Sequence, residues 1–310
     1  MISTDDLRFF VVLTDFISLA AVARALNVTP SAITQRLRLL EERLGVRLVD
    51  RSGRRLALTD EGRLLAQHAQ TVLDDIGQIA DMLAARRGVV SGHLRILAPL
   101  GFGRRYIAPV AAAFRTVFSD VQIDLMLSDR PFQFREEIWD VLIYIGELRD
   151  SALVGRTLAP NARFLCASPD YVARHGMPVA PGNLASHSCI MLKENDENIT
   201  HWRLAPAGDG NAVRVRIRPA LTTNDGGVAR AWALAGMGIV MRSEWAVAED
   251  LAANKLVEVL PGWRLPAANI VALVHARHGR SARTTRFIEY LQAALQPVPW
   301  RTPRGIAPSS

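Results

Sequence analysis

One segment of the chain has the full pattern of a short amphipathic helix with defined ends. Four apolar residues recur at the i, i+4, i+7 and i+11 positions, which places them on one helix face. They are Ile33, Leu37, Leu40 and Leu44. Thr29 precedes the run as an N-cap, and Pro30 takes the first helical position, where its missing N–H has no cost. Gly45 follows the run and ends the helix.

Two shorter helices and a hairpin surround this segment. Asp5 or Thr4 is expected to cap the first helix, and Ser18 the second. After the third helix, residues 46–49 and 55–58 are predicted to form two short strands. This order is that of a winged helix-turn-helix, in which the third helix enters the DNA major groove and the hairpin lies along the backbone or the minor groove.

The polar face of the third helix suits DNA bases. Gln and Arg can each make two hydrogen bonds to a base edge, and residues 29–55 contain seven Arg against three acidic residues. A solvated helix face without a partner is the alternative, and the Arg-rich hairpin beside the helix favours double-stranded DNA. The predicted DNA contacts are Ser18, Thr29, Pro30, Ser31, Thr34, Gln35, Arg38, Arg51, Arg54 and Arg55.

A single long helix is predicted from Thr59 to about Arg87, followed by a hinge at 88–92. Its apolar residues are spaced by four and three, the heptad pattern of a helix that pairs with another helix. We expect a homodimer, because so narrow a seam cannot be buried by the small N-terminal domain alone. Packing onto the downstream half is the alternative. The predicted dimer contacts are Leu65, Val72, Ile76, Ile79 and Leu83.

Beyond residue 92 the pattern alternates between strands and helices, which predicts an α/β array with parallel sheets and room for two subdomains. The predicted strands are 93–98, 122–127, 141–145, 164–168, 213–217, 238–241, 256–259 and 270–275. The predicted helices are 102–118, 225–235, 243–253 and 280–295.

Composition and motifs exclude several classes. The chain is 49% hydrophobic and 22% charged, which is typical of a globular protein, and its two cysteines argue against a disulfide scaffold. No apolar run approaches the roughly 20 residues of a membrane helix, and the N-terminus lacks a secretory signal pattern, so we expect a cytoplasmic protein with no membrane partner. A Gly-x-Ser-x-Gly elbow, a phosphate-binding loop and a His-Glu-x-x-His motif are absent, so we expect no enzyme activity, cofactor or metal.

The first sixty residues resemble a known family. The segments SLAAVARALNVTPSAITQRL at 18–37, LEERLGVRL at 40–48 and LTDEG at 58–62 are similar to the N-terminal module of LysR-type transcriptional regulators. Further along, residues 140–148 and 236–240 stand at places that match the effector domain of this family.

The resemblance implies a bacterial regulator that binds an interrupted palindrome near a promoter as a homodimer or homotetramer, with RNA polymerase as a further partner. The implied fold is α plus α/β: a winged helix-turn-helix, a long dimerising linker helix, and a two-lobed Rossmann-like effector domain of the periplasmic-binding-protein type. A small molecule between the lobes would bias the arrangement of the DNA-binding arms. The implied DNA-binding domain is 2–59, followed by the linker and hinge at 60–89. The implied effector domain is 90–300, and the tail is 301–310. Within the effector domain, lobe I is at about 92–161 and 268–296 and lobe II at about 162–267.

A glycine-containing turn at 101–103 joins a strand to a helix and directs backbone N–H groups at the lobe interface, which favours an anion. The resemblance implies the effector contacts Leu100, Gly101, Phe102, Gly103, Ser128, Tyr144, Gly146, Met191, Lys193, Thr222, Thr223 and Asn224. The branch it resembles responds to small carboxylates, whereas Tyr144 and the aromatic residues of 132–134 make this site less charged. The expected effector is an organic acid, aromatic acids included.

Two alternatives stay open. Some relatives switch through a cysteine pair, and Cys166 and Cys189 are candidates for such a redox switch, although both stand in apolar strands where a buried small hydrophobe is expected. A ligand-binding protein without DNA-binding activity would explain the second half alone, but the attached helix-turn-helix argues against it.

Overall fold

The structure, a computed structural model, describes residues 2–14, 16–50, 56–86, 90–131, 139–146, 153–193, 200–275 and 281–301. The chain divides into two compact units, Met1–Gly88 and Val89–Ser310. Within the described ranges, no helix has both the length and the apolar character needed to cross a bilayer.

The N-terminal unit is a winged helix-turn-helix followed by a long helix, as predicted. Its elements are α1 (Thr4–Thr14), α2 (Leu19–Ala25), α3 (Pro30–Leu44), β1 (Val49–Asp50), β2 (Ala57–Leu58) and α4 (Asp60–Arg86). Ser18 accepts a hydrogen bond from the Ala21 N–H and Thr29 accepts one from the Ala32 N–H, so both predicted caps are confirmed. Gly45 ends α3 in the left-handed conformation at φ +70°.

Three details of this unit differ from prediction. The cap of α1 is Ser3 rather than Asp5 or Thr4: the Ser3 hydroxyl accepts from the Asp6 N–H at 3.2 Å, and the Asp6 carboxylate accepts from the Ser3 N–H at 3.0 Å. Leu44 is 36% exposed, because the last turn of α3 extends past the core. The first strand begins at residue 49 rather than 46, since the Leu48 N–H donates to the Glu41 carboxylate instead of pairing in a sheet.

An ion pair between an exposed arginine and a buried carboxylate joins α3 to α1. The Arg43 guanidinium donates to the Asp6 carboxylate at 2.7 Å and 3.2 Å, and Asp6 is only 5% exposed. Burial raises the pKa of Asp6, but the hydrogen bonds from Ser3 and the charge of Arg43 outweigh it and hold the pKa below its ordinary value. The pair therefore helps to orient α3, whose apolar stripe packs in the core of this unit.

The described residues of the C-terminal unit form three sheets. Its strands are β3 (Gly92–Ala98), β4 (Val121–Leu127), β5 (Val141–Ile145), β6 (Leu153–Ala159), β7 (Arg163–Ala167), β8 (Cys189–Leu192), β9 (His201–Pro206), β10 (Val213–Arg216), β11 (Pro219–Thr223), β12 (Ile239–Ser243), β13 (Val257–Val259), β14 (Trp263–Arg264) and β15 (Ile270–His275). The sheet orders are β4-β3-β5-β15-β6 in one lobe, β11-β8-β12-β7-β13 in the other, and β10-β9-β14 in a small third sheet.

Helices cover these sheets. They are α5 (Leu100–Phe102), which continues through a π-helical turn at Gly103–Ile107 into α6 (Ala108–Val117), then α7 (Pro169–His175), α8 (Gly226–Leu234), α9 (Glu244–Ala252) and α10 (Ala282–Ala294), with a 3-10 helix at Pro181–Ser186. The α5–α6 stretch and helices α8 to α10 match predicted helices within two residues, whereas the short helix α7 and strands β6, β9, β11 and β14 were not predicted.

The prediction of parallel sheets is only partly right, because both five-stranded sheets are mixed. β4, β3 and β5 run parallel in one sheet, and β11, β8 and β12 in the other, while the remaining strands pair antiparallel. The antiparallel strands flank the two places where the chain passes between lobes, at 160–162 and 265–269. Asn161 joins these crossovers, since its Nδ2 donates to the Ala268 carbonyl at 2.7 Å and the Ala268 N–H donates to the Asn161 carbonyl at 3.1 Å.

Candidate DNA-binding face and effector cleft

The outer face of α3 is available to a partner. Ser31, Thr34, Gln35 and Arg38 are all exposed, while Ile33, Leu37 and Leu40 on the opposite side are 0–2% exposed. The predicted recognition face and the predicted apolar stripe therefore lie on opposite sides of the helix, apart from Leu44.

The polar groups on this face differ in their freedom to bind. The Thr34 hydroxyl donates to the Pro30 carbonyl at 2.9 Å, and the Ser18 and Thr29 hydroxyls are held by their cap bonds. Arg38 forms an exposed ion pair with Glu42 at 3.2 Å, which costs little to break. The Gln35 amide makes no hydrogen bond to any residue in the described ranges and is the group best placed to read a base edge.

Arg36, which was not predicted as a site residue, supports the domain instead. Its guanidinium donates to the Asp5 carbonyl at 3.0 Å and lies over the Phe9 ring at 4.6 Å. Of the predicted wing contacts, Arg51, Arg54 and Arg55 lie outside the described residues.

The apolar heptad residues of the linker helix α4 lie in two different environments. Leu65 packs against the core of the helix-turn-helix, and Ala69 is 1% exposed. Further along α4, Val72, Ile76 and Ile79 are 39–60% exposed within their own unit, so their apolar surface is open to a partner helix. The side chain of Leu83 lies outside the described part.

A cavity of about 30 Å³ lies between the two lobes of the C-terminal unit, at the ends of several strands. Ligand sites in open α/β sheets form outside the carboxyl ends of parallel strands. The lining follows that rule, with Leu100 after β3, Ser128 after β4, Ile145 at the end of β5, Asn224 after β11 and Ser243 at the end of β12.

Two arginines and one acid line the cleft. Arg242 is 5% exposed, and its guanidinium packs against the backbone of Gly226 at the start of α8. Arg163 is half-buried and has no ion pair with any described residue. The acid is Asp129, whose carboxylate accepts a hydrogen bond from the Asn224 side chain at 2.6 Å. Among its described residues the cleft has two arginine side chains and one carboxylate, and this excess of positive charge favours a small anion.

Trp245 closes one side of the cleft. Its backbone belongs to α9, and its ring packs edge-on against the Phe102 ring of the other lobe, with 5.4 Å between the ring centroids. The ring also packs against Gly101, where an added Cβ would lie 3.0 Å from it. The indole N–H is buried and has no acceptor among the described residues. A ligand in the cleft could therefore accept a hydrogen bond from it.

The structure brings four of the predicted effector contacts to this cavity: Leu100, Gly101, Ser128 and Asn224. The others do not line it; they are Phe102, Gly103, Tyr144, Gly146, Met191, Lys193, Thr222 and Thr223. Phe102 points into the core, Gly103 packs against Leu127, and Tyr144 lies in a separate cluster on the other face of the β5 sheet. Residues 132–134, expected to add aromatic character, lie outside the described ranges.

Sequence reasoning missed the charged half of the site. Arg163, Arg242 and Trp245 were not predicted, although Arg242 and Trp245 flank the carboxyl end of a predicted strand, which is the signal that could have found them. Arg163 lies at the start of its strand, β7, and not after a carboxyl end, so the same rule does not find it. It reaches the cleft because β7 runs antiparallel to β12.

The two cysteines cannot form a disulfide with each other in this fold. Cys166 pairs with Val240 and Cys189 pairs with Ile239 on opposite sides of β12. Two strand spacings separate them by about 9.5 Å, beyond the roughly 7 Å that a disulfide spans. Burial raises the pKa of each thiol to about 12, so neither is a ready nucleophile.

Comparison with known proteins identifies the family. Residues 4–63 match the model of the bacterial regulatory helix-turn-helix protein, lysR family, and residues 87–296 match that of the LysR substrate binding domain. The chain belongs to the LysR family of DNA-binding transcription regulators, with an effector-binding domain joined to the helix-turn-helix.

Individual relatives match over nearly the whole chain. The HTH-type transcriptional regulator DmlR of Escherichia coli is 36% identical over 288 residues, covering 93% of both chains. The HTH-type transcriptional activator TtdR of Escherichia coli is 32% identical over 292 residues, covering 94% of this chain and 93% of the relative. The full-length virulence activator AphB of Vibrio cholerae superposes with a TM-score of 0.61 at 26% identity, covering 94% of this chain and 99% of that one.

Proposed function

We propose that the protein is a cytoplasmic regulator that reads an interrupted palindrome through α3 and responds to a small organic acid in the lobe cleft. DNA contacts come from the exposed face of α3, with Gln35 and Arg38 as base readers and the Arg-rich wing at 51–55 on the backbone. Val72, Ile76 and Ile79 support a homodimer through α4. We also propose that two dimers associate into a homotetramer and that the protein contacts RNA polymerase. Its proposed role is non-enzymatic.

The observation that carries the effector assignment is the convergence of Arg163 and Arg242 in a small cavity. Both arginines line the cavity between the lobes, together with Ser128 and Leu100 at the start of α5. Charge-assisted hydrogen bonds of this kind suit a carboxylate. Asp129 disfavours a second carboxylate at its own end of the cleft, where a hydroxyl, carbonyl or aromatic group fits better.

Replacing Gln35 with alanine is expected to remove sequence discrimination. On a duplex selected from a random library by the wild type, Gln35→Ala should lose about 1–3 kcal/mol of binding free energy, whereas its affinity for random duplex should change little. Anisotropy titrations of both duplexes measure this. Gln67→Ala, an exposed amide on α4, is the matched control. Equal losses on the two duplexes would contradict base reading by Gln35.

Replacing Arg163 with glutamine is expected to weaken binding of the acid. A thermal-shift and calorimetric screen of the full chain against acetate, succinate and benzoate, each with its uncharged amide, should show stabilisation by one acid and not by its amide. Arg163→Gln should weaken that acid about 10- to 100-fold, since a hydrogen bond to a charged group contributes about 1.5–3 kcal/mol.

Arg156→Gln, an exposed arginine on β6, is the control for this variant and should bind like the wild type. An acid that stabilises wild type and Arg163→Gln equally binds elsewhere, and a response to the amides would refute anion recognition. If no acid stabilises the full chain, the effector proposal is refuted. The DNA assay of Gln35→Ala does not depend on an effector, so it tests the DNA-binding proposal separately.

A cysteine-based switch is the alternative regulator, and the positions of Cys166 and Cys189 on either side of β12 argue against an intramolecular pair. A ligand-binding protein without DNA-binding activity is disfavoured by the family match of residues 4–63.

A further inference from the structure

The small third sheet, β10-β9-β14, has two very different faces. Trp202 and Leu204 of β9 are 1–3% exposed and pack into the core of the second lobe with Val215. Because side chains alternate along a strand, the neighbouring residues point the other way. Those residues are His201, Arg203, Arg214, Arg216 and Arg264, all of them exposed; we refer to them as the basic sheet face.

The strand register brings the side chains of the basic sheet face close together. Arg214 pairs directly with Arg203, and Arg216 pairs with His201. On the other edge, Arg264 pairs with Ala205, two residues from Arg203. Like charges directly opposite each other in an antiparallel pair destabilise it. The sheet thus carries an unfavourable arrangement that a bound anion would relieve.

No carboxylate of the described residues pairs with these arginines. Between residues 200 and 218 the sequence has four Arg and a single acid, Asp209. The arginines at 95, 105, 230 and 301 of the same unit each pair with a carboxylate at 3.0 Å or less, so the basic sheet face differs from much of the unit's basic surface. Glu194, Asp196 and Glu197 precede β9 in sequence and lie outside the described ranges.

We infer that the basic sheet face is a second DNA contact, which binds the phosphate backbone of duplex DNA without reading bases. The hot spots of protein interfaces are enriched in Trp, Tyr and Arg, and the described outward side chains of this face include arginines, His201 and Ala205 but no Trp or Tyr. A duplex presents one negative charge per roughly 1.7 Å of its axis, dense enough to meet several arginines at once. DNA is already the partner of this family, so a phosphate contact on this face would add affinity for duplex of any sequence.

The test is the salt dependence of binding. The full-chain variant Arg203→Gln/Arg214→Gln/Arg216→Gln and the wild type are titrated onto a plain duplex of about 60 base pairs at several salt concentrations. Each lost phosphate contact lowers the slope of log affinity against log salt by about 0.9. A rise from about 50 to about 200 mM salt should therefore weaken the wild type about 40-fold more than the triple variant.

A second triple variant controls for net charge. Arg104→Gln/Arg115→Gln/Arg156→Gln removes three exposed arginines elsewhere in the same unit and should keep the wild-type slope. Neither triple variant should lower the melting temperature, because the replaced side chains are exposed.

Three results would overturn the inference. One is a wild-type slope in the basic-sheet variant, which would mean that the arginines are neutralised within the chain. Another is an equal reduction of slope in both triple variants, which would make net charge the cause. The third is loss of binding to poly-glutamate with an unchanged DNA slope, which would assign the face to an acidic polypeptide.

Discussion

Gly62→Ala is expected to destabilise the N-terminal unit. A Cβ on Gly62 would overlap the carbonyl oxygen of Leu48 and lie 3.0 Å from its carbonyl carbon. That same oxygen accepts the Thr59 N–H at 3.1 Å, so it cannot move without releasing the start of α4. Overpacking of this kind costs about 1–3 kcal/mol or more, and thermal or urea unfolding measures it.

Gly77→Ala in the same helix is the matched control and should have the opposite sign. No atom lies within 4 Å of a Cβ built at Gly77. Alanine there should stabilise α4 by about 0.5–1 kcal/mol, because it lowers the flexibility of the unfolded chain. A stabilising effect of Gly62→Ala, like that of Gly77→Ala, would contradict the close contact between Gly62 of α4 and the Leu48 backbone.

Ile76→Asp is expected to convert the proposed homodimer into monomers. Ile76 is 39% exposed within its own unit, so a dimer buries only that part of the side chain, which contributes about 0.6–1.2 kcal/mol per protomer. A symmetric dimer loses this twice and also brings two carboxylates together, so its dissociation constant should rise by about 10-fold or more, since 1.4 kcal/mol corresponds to a factor of ten. Light scattering and sedimentation over a range of protein concentrations measure this change.

Gln67→Asp adds the same charge nine residues away, on the opposite side of α4, and should leave the dimer intact. Ile76→Asp should also weaken binding to a two-half-site duplex more than to a single half-site, because only the dimer gains from the second half-site. An unchanged dimer in Ile76→Asp would show that another surface holds the protomers together.

Local rules predicted most of the N-terminal unit. The Ser18 and Thr29 caps depend on contacts three residues apart, and the buried stripe of α3 depends on the helical period, so short stretches of sequence contain both. The errors arose where a partner from another element intervened. The Glu41 carboxylate accepts the backbone N–H of Leu48, which was predicted to pair in the first strand. Leu44 lies beyond the residues that would have covered it.

The effector half was predicted less completely. Its central strands were found because continuous apolar runs mark strands buried on both faces. β6 and β9 were missed, since five residues of β6 are not buried and β9 alternates arginine and histidine with apolar residues. The antiparallel pairing of β7 and β15 depends on where the chain crosses between lobes, which periodicity does not encode.

By itself, the sequence determined the helix-turn-helix, the linker helix and the family, because caps, periods and motif spacing act over a few residues. Only the tertiary structure decided which side chains meet in the cleft. Residues as far apart in sequence as Leu100, Arg163 and Arg242 come together there through sheet order and strand register. Tyr144 pointed away for the same reason, since neighbouring residues of a strand face opposite sides of a sheet.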